Sequence, residues 1–554
     1  MPSSEPAQAP PAVPPPEPPP EAPHRRLPGA LAPLSEPVFR MLWLASAAAN
    51  LSMWMNDVAA AWLMTSLTTS PVMVAMVQAA STLPVFLLGL PSGALADILN
   101  RRRYFAATQI WVAAVAIVLA VLSVSGGISA PMLLALNFAN GIGLALRWPV
   151  FSAIVPAIVS RPDLPAALAL NGISMNLARL VGPLIAGALI ATWGSAAVFV
   201  VNAVMALMGT WLILRWRDEP KPSALPGERF VGAMRVGIQH VSQSPRMRLV
   251  LARVFGFFLQ TAALTALLPL VALQVHGGGP GTFTVMLSCI GGGAITAAFF
   301  FPWLRVRYGR DTFVRVGSLA HAALSVVVVF SPTLWLALPA LVLLGMAWIS
   351  TANSLGIAAQ LALPDWVRAR GMSTYQVALM GGVALGAMLW GQLAALTSVS
   401  TSIAVAAGLG CLWMLLTWRW SVEGVEEDDH TPMPLPPLGS LGEPAIEFLP
   451  DEGPVMVTIE YLIDPAQADA FAKVMHATRL SRRRQGVLSW GLFRDTAEPG
   501  RYVEYFVDES WIEHQRRHAR FTAADAGLRG QRLAFHNGPE APKVNRYIAD
   551  RSMR

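Results

Sequence analysis

The sequence predicts an all-α membrane protein of twelve transmembrane helices in two six-helix halves, followed by a small α+β domain of ferredoxin-like order. The chain has 554 residues, of which 13% are charged and 54% hydrophobic. A soluble chain would carry roughly a quarter charged residues. Only eight carboxylates (Asp57, Asp97, Asp163, Asp218, Glu219, Glu228, Asp311 and Asp365) fall between Val38 and Trp420. That stretch divides into apolar segments, each long enough for the ~20 residues a helix needs to cross ~30 Å of hydrocarbon. These properties exclude an ordinary cytosolic enzyme.

Residues 1–37 form a separate region, with twelve prolines in the first thirty positions. No packed core is expected there, only a Pro-rich, cytoplasmic, disordered tail. The twelve apolar segments are 40–66, 70–96, 104–125, 131–158, 166–191, 195–215, 248–274, 282–304, 312–330, 334–360, 370–397 and 400–420. Loops after the odd-numbered segments contain no Lys, Arg, Asp or Glu, whereas the alternate loops carry clusters such as Arg101-Arg102-Arg103 and Arg305, Arg307 and Arg310. The positive-inside rule places the basic loops, and with them both termini, in the cytoplasm. The net charge of +7 therefore follows the membrane topology and gives no sign of a nucleic-acid partner.

The connection 216–247 separates residues 38–215 from 248–420, six segments on each side. An internal repeat agrees with this division. Pro162-Asp163 with Gly182 and Gly187 recurs as Pro364-Asp365 with Gly386 and Gly391, offset by 202 residues at Pro-Asp and 204 at the glycines. Two tandem halves with a pathway between them are a known plan of secondary transporters. An acidic, Pro-rich linker (421–452) leads to residues 453–554, which have soluble composition. There, alternation predicts strands over 455–463, 487–494, 502–507 and 544–548, with helices over 465–484 and 511–535. The order β-α-β-β-α-β is ferredoxin-like. Alternating apolar positions (Val455, Val457, Ile459; Leu488, Trp490, Leu492; Val503, Tyr505, Val507) are expected to form a sheet face that a second copy would cover, giving a homodimer through this domain.

Gly93, Asp97, Arg101, Arg102 and Arg103 resemble the loop signature of major facilitator transporters, with Ile98 and Asn100 departing from its usual Arg and Gly. The resemblance implies that Asp97 faces the start of the eleventh helix, near Arg370, where an anion suits a positive helix N-terminus. Gly182-Pro183-Leu184-Ile185-Ala186-Gly187 is similar to the Gly-Pro antiporter motif of exporters in that superfamily. Pro183 frees a carbonyl and bends the helix, while the glycines admit close neighbours. Longer stretches, from Asn50 to Met64, Leu83 to Arg103, Arg147 to Gly187 and Pro364 to Gly391, resemble the transmembrane secretion effector group, which includes the enterobactin exporter. This resemblance implies the major facilitator fold and export of a siderophore, drug or metabolite across the bacterial inner membrane. The C-terminal domain, on Trp511, His514, His518 and the 455–463 strand, is similar to the dimeric α+β barrel of antibiotic-biosynthesis monooxygenases.

Charged groups inside spans are costly and by default mark function. The transport and proton-coupling candidates are Asp57 with Asn56, Arg147, and Arg179 with Asn171 and Asn176. In one reading Asp57 carries protons and the arginines face an anionic substrate; in the other these groups only join helices. Arg253, near a span end, is expected to snorkel. His514 and His518 share a helix face at i, i+4 and are weak metal or heme candidates; with arginines interleaved, a solvated face or dimer contact is the plainer reading. Arg479 and Arg482-Arg483-Arg484 suit either an anionic leaflet or a hydrated helix end. Gly277-Gly278-Gly279-Pro280-Gly281 lacks the Gly-Lys-Ser/Thr of a phosphate loop, so no nucleotide motor is expected; separately, neither a resident metal nor another cofactor is expected. The predicted partners are a small-molecule substrate and the lipid bilayer. The alternatives are an uptake carrier of the same fold, or a transporter fused to an oxygenase-like domain.

Overall fold

A computed structural model describes residues 29–98, 100–160, 162–215, 230–364, 366–423, 431, 433, 449 and 451–550. The N-terminal tail through residue 28, the connection 216–229 and most of the acidic linker lie outside the described residues.

Each of the twelve apolar segments lies on a helix. The first set is α1 (Pro37–Leu67), α2 (Pro71–Ile98), α3 (Arg101–Val124), α4 (Ala130–Ile158), α5 (Leu164–Trp193) and α6 (Ser195–Arg215). A shorter amphipathic helix, α7 (Phe230–Gln243), follows. The second set is α8 (Pro245–Leu270), α9 (Pro280–Arg305), α10 (Arg310–Phe330), α11 (Leu334–Leu361), α12 (Arg368–Leu396) and α13 (Val399–Leu416). A π-helical turn, Val271–Val275, extends α8. Local chemistry sets many of the starts. Asn100, Ser244 and Ser398 accept the N–H of Arg103, Met247 and Thr401 as N-caps, and prolines open α1, α4, α5, α8 and α9. Ten of the described helices are long and apolar enough to cross a membrane. α1 and α4 are of similar length, but Asn50, Asn56 and Asp57 dilute α1. The chain is thus a multi-pass membrane protein.

Glycines let the helices approach closely, and they do so twice by the same pattern. On α4, Gly141 lies against the Ser81 carbonyl of α2; on α11, Gly345 lies against the Ile290 carbonyl of α9. At the end bearing the neutral loops, one continuous core joins both sets, with Met55, Met64, Val74 and Phe199 from the first and Leu264, Met286, Leu341 and Trp390 from the second. Toward the basic-loop end the described buried residues fall into separate clusters. Leu42, Phe105, Ile154 and Ile213 belong to the first set, as do Phe39, Val155 and Ala167. Met247, Val314, Leu355 and Tyr375 belong to the second. The two sets are therefore closed on one another at the neutral end.

Arg253 does not snorkel. It is 3% exposed, and its guanidinium donates to the carbonyls of Thr417 and Trp420 and to the Met414 sulfur, capping the C-terminal end of α13. A helix end offers orphan carbonyls, and a buried arginine satisfies them.

The C-terminal part comprises β1 (Val455–Leu462), α14 (Ala468–Arg484), β2 (Ser489–Arg494), β3 (Arg501–Asp508), α15 (Trp511–Ala519), α16 (Ala523–Leu533) and β4 (Val544–Ile548). The sheet order is β2-β3-β1-β4 with antiparallel pairs throughout, the ferredoxin-like arrangement. Two expectations need correction. The predicted helix over 511–535 is two helices, because Thr522 caps α16 in a capping box with Asp525. The expected apolar face also mixes the two sides of the sheet. Val455, Val457 and Ile459 pair with Asp508, Phe506 and Glu504 and, with Trp490 and Leu492, join the core beneath α14. Val503, Tyr505 and Val507 alternate to the opposite face, alongside Met456, Phe493 and Tyr547. A one-residue difference in register moves a strand's apolar set across the sheet.

This domain docks on α7. Arg235 pairs with Glu509 at 2.6 Å, Gln239 donates to the Val487 carbonyl at 2.8 Å, and His240 lies 3.1 Å from the Arg484 carbonyl. The Arg520 guanidinium sits 5.0 Å from the ring centre of Trp366, between α11 and α12.

Candidate functional site

Helix α1 supplies the polar centre, and its faces divide the work. Asn56 donates to Asn137 Oδ1 of α4 at 3.0 Å, and Asn137 in turn donates to the Val77 carbonyl of α2 at 2.8 Å, so three helices are tied together. Asp57, the next residue, is half-buried. Among the described residues its carboxylate has neither a hydrogen bond nor an ion pair. A carboxylate in a span without a partner is expensive unless it binds a proton or a cation.

Arg179 of α5 lies where the two helix sets meet. Its guanidinium carbon is 5.3 Å from the ring centre of Trp54 on α1 and 4.8 Å from that of Trp348 on α11. Its Nε and Nη1 are buried without a hydrogen-bond partner. Two indole faces stabilise the cation while leaving its edge free for an anion. Asn171 on the same helix has a buried, unpartnered Oδ1. Asn176 is exposed and donates only to the Gly172 carbonyl, so it does not join this group.

Arg147 of α4 sits in different surroundings from Arg179. It lies in a pocket lined by α1, α3, α4 and α6, where its Nη2 donates to Asn50 at 3.4 Å. Sequence reasoning missed Gln109 and Asn202 in that pocket, and Trp54 and Trp348 around Arg179. Amides in α3 and α6 were a readable signal; the tryptophans were not, since aromatic residues populate any span.

The motif residues divide similarly. Gly182 lies against Leu51 and Trp54 of α1, and Gly187 against Thr284 of α9. Pro183 is buried between them. Arg102 donates to the Leu214 carbonyl of α6 at 3.1 Å, and Arg103 is exposed. Gly93 and Asp97 stand on α2 and Arg101 opens α3, but the placement of the Asp97 and Arg101 side chains lies outside the described part. Asp365 also lies outside it.

In the C-terminal domain His514 is 1% exposed, not on a solvated face. Its Nδ1 lies 2.7 Å from Asp508, which also accepts from Arg517 Nε at 3.1 Å. Burial would push the Asp508 carboxyl up, but Arg517 and His514 outweigh it and hold the group at about 2. Burial and then Arg517 push His518 down to about 3, and burial lowers His514 despite its bond to Asp508. Both imidazoles are therefore neutral near pH 7. Arg482 also turns inward, pairing with the buried Glu504 at 3.1 Å instead of reaching a leaflet. Tyr461 and Trp490 donate to the same carboxylate. Among the described residues no group of three or more His, Cys, Asp or Glu side chains could hold a metal ion. Arginines around the histidine pair further disfavour a cation there.

A family model described as transmembrane secretion effector matches residues 28–553. The chain is 22% identical over 250 residues to the staphyloferrin A transporter of Staphylococcus aureus (strain NCTC 8325 / PS 47), covering 45% of this chain and 63% of that protein. It is 20% identical over 244 residues to macrolide efflux protein A of Streptococcus pyogenes, covering 44% and 60%. The match thus spans under two thirds of the length of these curated relatives. Among solved structures it is similar to a bacterial homolog of the human lysosomal transporter Spinster in an inward-facing, unoccupied conformation (TM-score 0.54, 14% identity, 68% of this chain and 94% of that one). It is also similar to a POT family transporter in complex with 5-aminolevulinic acid (TM-score 0.58, 12% identity, 70% and 96%). At such identities the likeness is one of fold.

Proposed function

Because the chain belongs to the transmembrane secretion effector family, we propose that it is a secondary transporter exporting a small organic molecule by proton-coupled alternating access. The observation that carries this reading is Arg179, a cation held between Trp54 and Trp348 across the meeting line of the two helix sets. An acidic or aromatic group of a substrate suits that site, and staphyloferrin A and macrolides are the compounds named for the relatives. Asp57 is the proton carrier, and Asn56, Asn171 and Arg147 belong to the polar surroundings. The basic loops face the cytoplasm of a bacterium, so the protein spans its inner membrane with both termini inside. The core closed at the neutral-loop end then fits a state open toward the cytoplasm.

Asp97 engages the start of α12, and the glycine pairs act as pivots on which the halves rock. The C-terminal domain is a cytoplasmic accessory and not an enzyme. Its open sheet face, where Phe493 is 62% exposed, pairs with the same face of a second copy.

The test uses everted membrane vesicles energised by respiration and offered a panel of macrolides and carboxylate siderophores. Export predicts uncoupler-sensitive accumulation inside everted vesicles. Accumulation only in right-side-out vesicles would instead establish an uptake carrier.

A further inference from the structure

We infer that the first helix set contains a small-anion site of its own, in the pocket between α1, α3, α4 and α6 and apart from the Arg179 group. The pocket has a volume of ≈ 40 Å³ and draws its polar lining from Ser52 and Asn56 of α1, Gln109 of α3, Asn140 and Arg147 of α4, and Asn202 of α6. The other walls are apolar. Asn202 is 3% exposed and neither Nδ2 nor Oδ1 has a partner; Gln109, also 3% exposed, has an unpartnered Oε1. Each buried polar atom left in this state costs ~1–3 kcal/mol, so the pocket is built for an occupant.

The internal repeat shows that packing does not require Asn56, Asn140, Arg147 or Asn202. Gly141 on the Ser81 carbonyl and Gly345 on the Ile290 carbonyl put α4 in register with α11 at an offset of 204 residues. At that offset Asn137, Asn140 and Arg147 correspond to Leu341, Leu344 and Thr351, and Asn202 of α6 corresponds to Ala406 of α13. Gly182 against Leu51 and Gly386 against Leu259 put α1 in register with α8 at 208, so Asn56 corresponds to Leu264. All five counterparts are buried. The second set places leucine, alanine and threonine at these five positions, while Gln260, the counterpart of Ser52, is buried and lies 3.2 Å from His321 of α10.

Size and charge then define the occupant. A volume of ≈ 40 Å³ holds about three water-sized bodies, far below the roughly 300 Å³ of a pocket for an organic ligand. The only formal charge on the lining is the Arg147 guanidinium, 6% exposed and, among the described residues, paired with no carboxylate. Water alone would leave that cation uncompensated in an apolar bundle, at a cost of several kcal/mol. A chloride-sized monovalent anion neutralises it. Amide N–H groups turn toward the anion, and a companion water donates to the amide oxygens.

The test is thermal unfolding of the purified full-length protein in detergent, with sodium chloride, bromide, formate or gluconate at constant ionic strength, together with equilibrium binding of radioactive chloride. The expected result is a saturable rise in melting temperature with chloride and bromide but not gluconate, and about one chloride bound per chain. Formate separates a general carboxylate preference from a halide site. Asn140→Leu places the second-set residue in the pocket and is expected to keep the fold while weakening chloride binding tenfold or more; Arg147→Gln is expected to abolish it. Equal melting temperatures in chloride and gluconate with no bound chloride would overturn the proposal and leave the pocket to water. So would chloride binding that persists unchanged in both variants.

Discussion

Helices α5 and α12 pack by one rule. In α5, Gly182 lies against Leu51 and Trp54 of α1 and Gly187 against Thr284 of α9; in α12, Gly386 lies against Leu259 and Ala262 of α8 and Gly391 against Ala75 of α2. The first glycine of each pair packs on the helix opening its own set, and the second packs on the opposite set. Yet where α5 carries Arg179, α12 carries Val383, 204 residues later. Where α1 carries Asp57, α8 carries Thr265. The shared part is scaffold, and the unshared part is polar. A residue that the duplicate omits without losing its packing is not required by the fold, which turns scattered intramembrane polar groups into ranked functional candidates.

The largest effect expected from breaking this asymmetry is at the seam. Arg179→Val, which copies its counterpart, is expected to reduce substrate flux in proteoliposomes by ~100-fold, about 2.7 kcal/mol, while Val383→Leu stays within about twofold. Comparable losses from both would make the site a packing feature of either set. The glycines should behave oppositely. Gly187→Val and Gly391→Val each force a side chain into a neighbouring helix, and overpacking of this kind costs ~1–3 kcal/mol. Differential scanning fluorimetry should show the two variants destabilised alike; a loss confined to one would deny the mirrored packing.

Much of this was readable in advance. The twelve long helices followed from apolar length, and the repeat was legible as Gly182 and Gly187 returning at Gly386 and Gly391. What each glycine touches was not legible, because contacts between sets join residues hundreds of positions apart. Arg253 was misread because its place near a span end suggested water, whereas the partners that bury it, the Thr417 and Trp420 carbonyls, lie more than 160 residues on. In the sheet, periodicity gave the strands but not their mutual register, so apolar sets from opposite faces were merged. Gln109 and Asn202 stood in plain view, but nothing in their spacing showed that α3 and α6 bring them to one pocket.

A smaller effect distinguishes the C-terminal domain from the helices. Protonation of His514 and His518 is opposed in the folded state, since both are shifted below the ordinary histidine value. Their contribution is full above about pH 6.5 and is lost as pH falls below it. Asp508, held at about 2, adds stability that is complete above its unfolded value near ~3.9 and disappears as pH approaches 2. The docked domain should therefore melt earlier at pH 5 than at pH 7.5 in a two-transition scan of the full chain. A domain transition that stays put would mean the histidines charge freely. Smallest of all, Arg235→Ala should weaken docking on α7 by ~1 kcal/mol or less, because its pair with Glu509 is partly exposed; protection of α7 from limited proteolysis reads this out.

The most direct test is the replacement of Asp57 by its counterpart. Purified Asp57→Thr, reconstituted in proteoliposomes beside the unaltered protein, is measured for flux driven by an imposed pH gradient and for melting temperature. An intramembrane acid that serves transport and not packing predicts gradient-driven flux at background with a melting temperature unchanged or raised. Near-normal flux driven by the gradient, or a protein that no longer folds, would contradict it and return Asp57 to the scaffold.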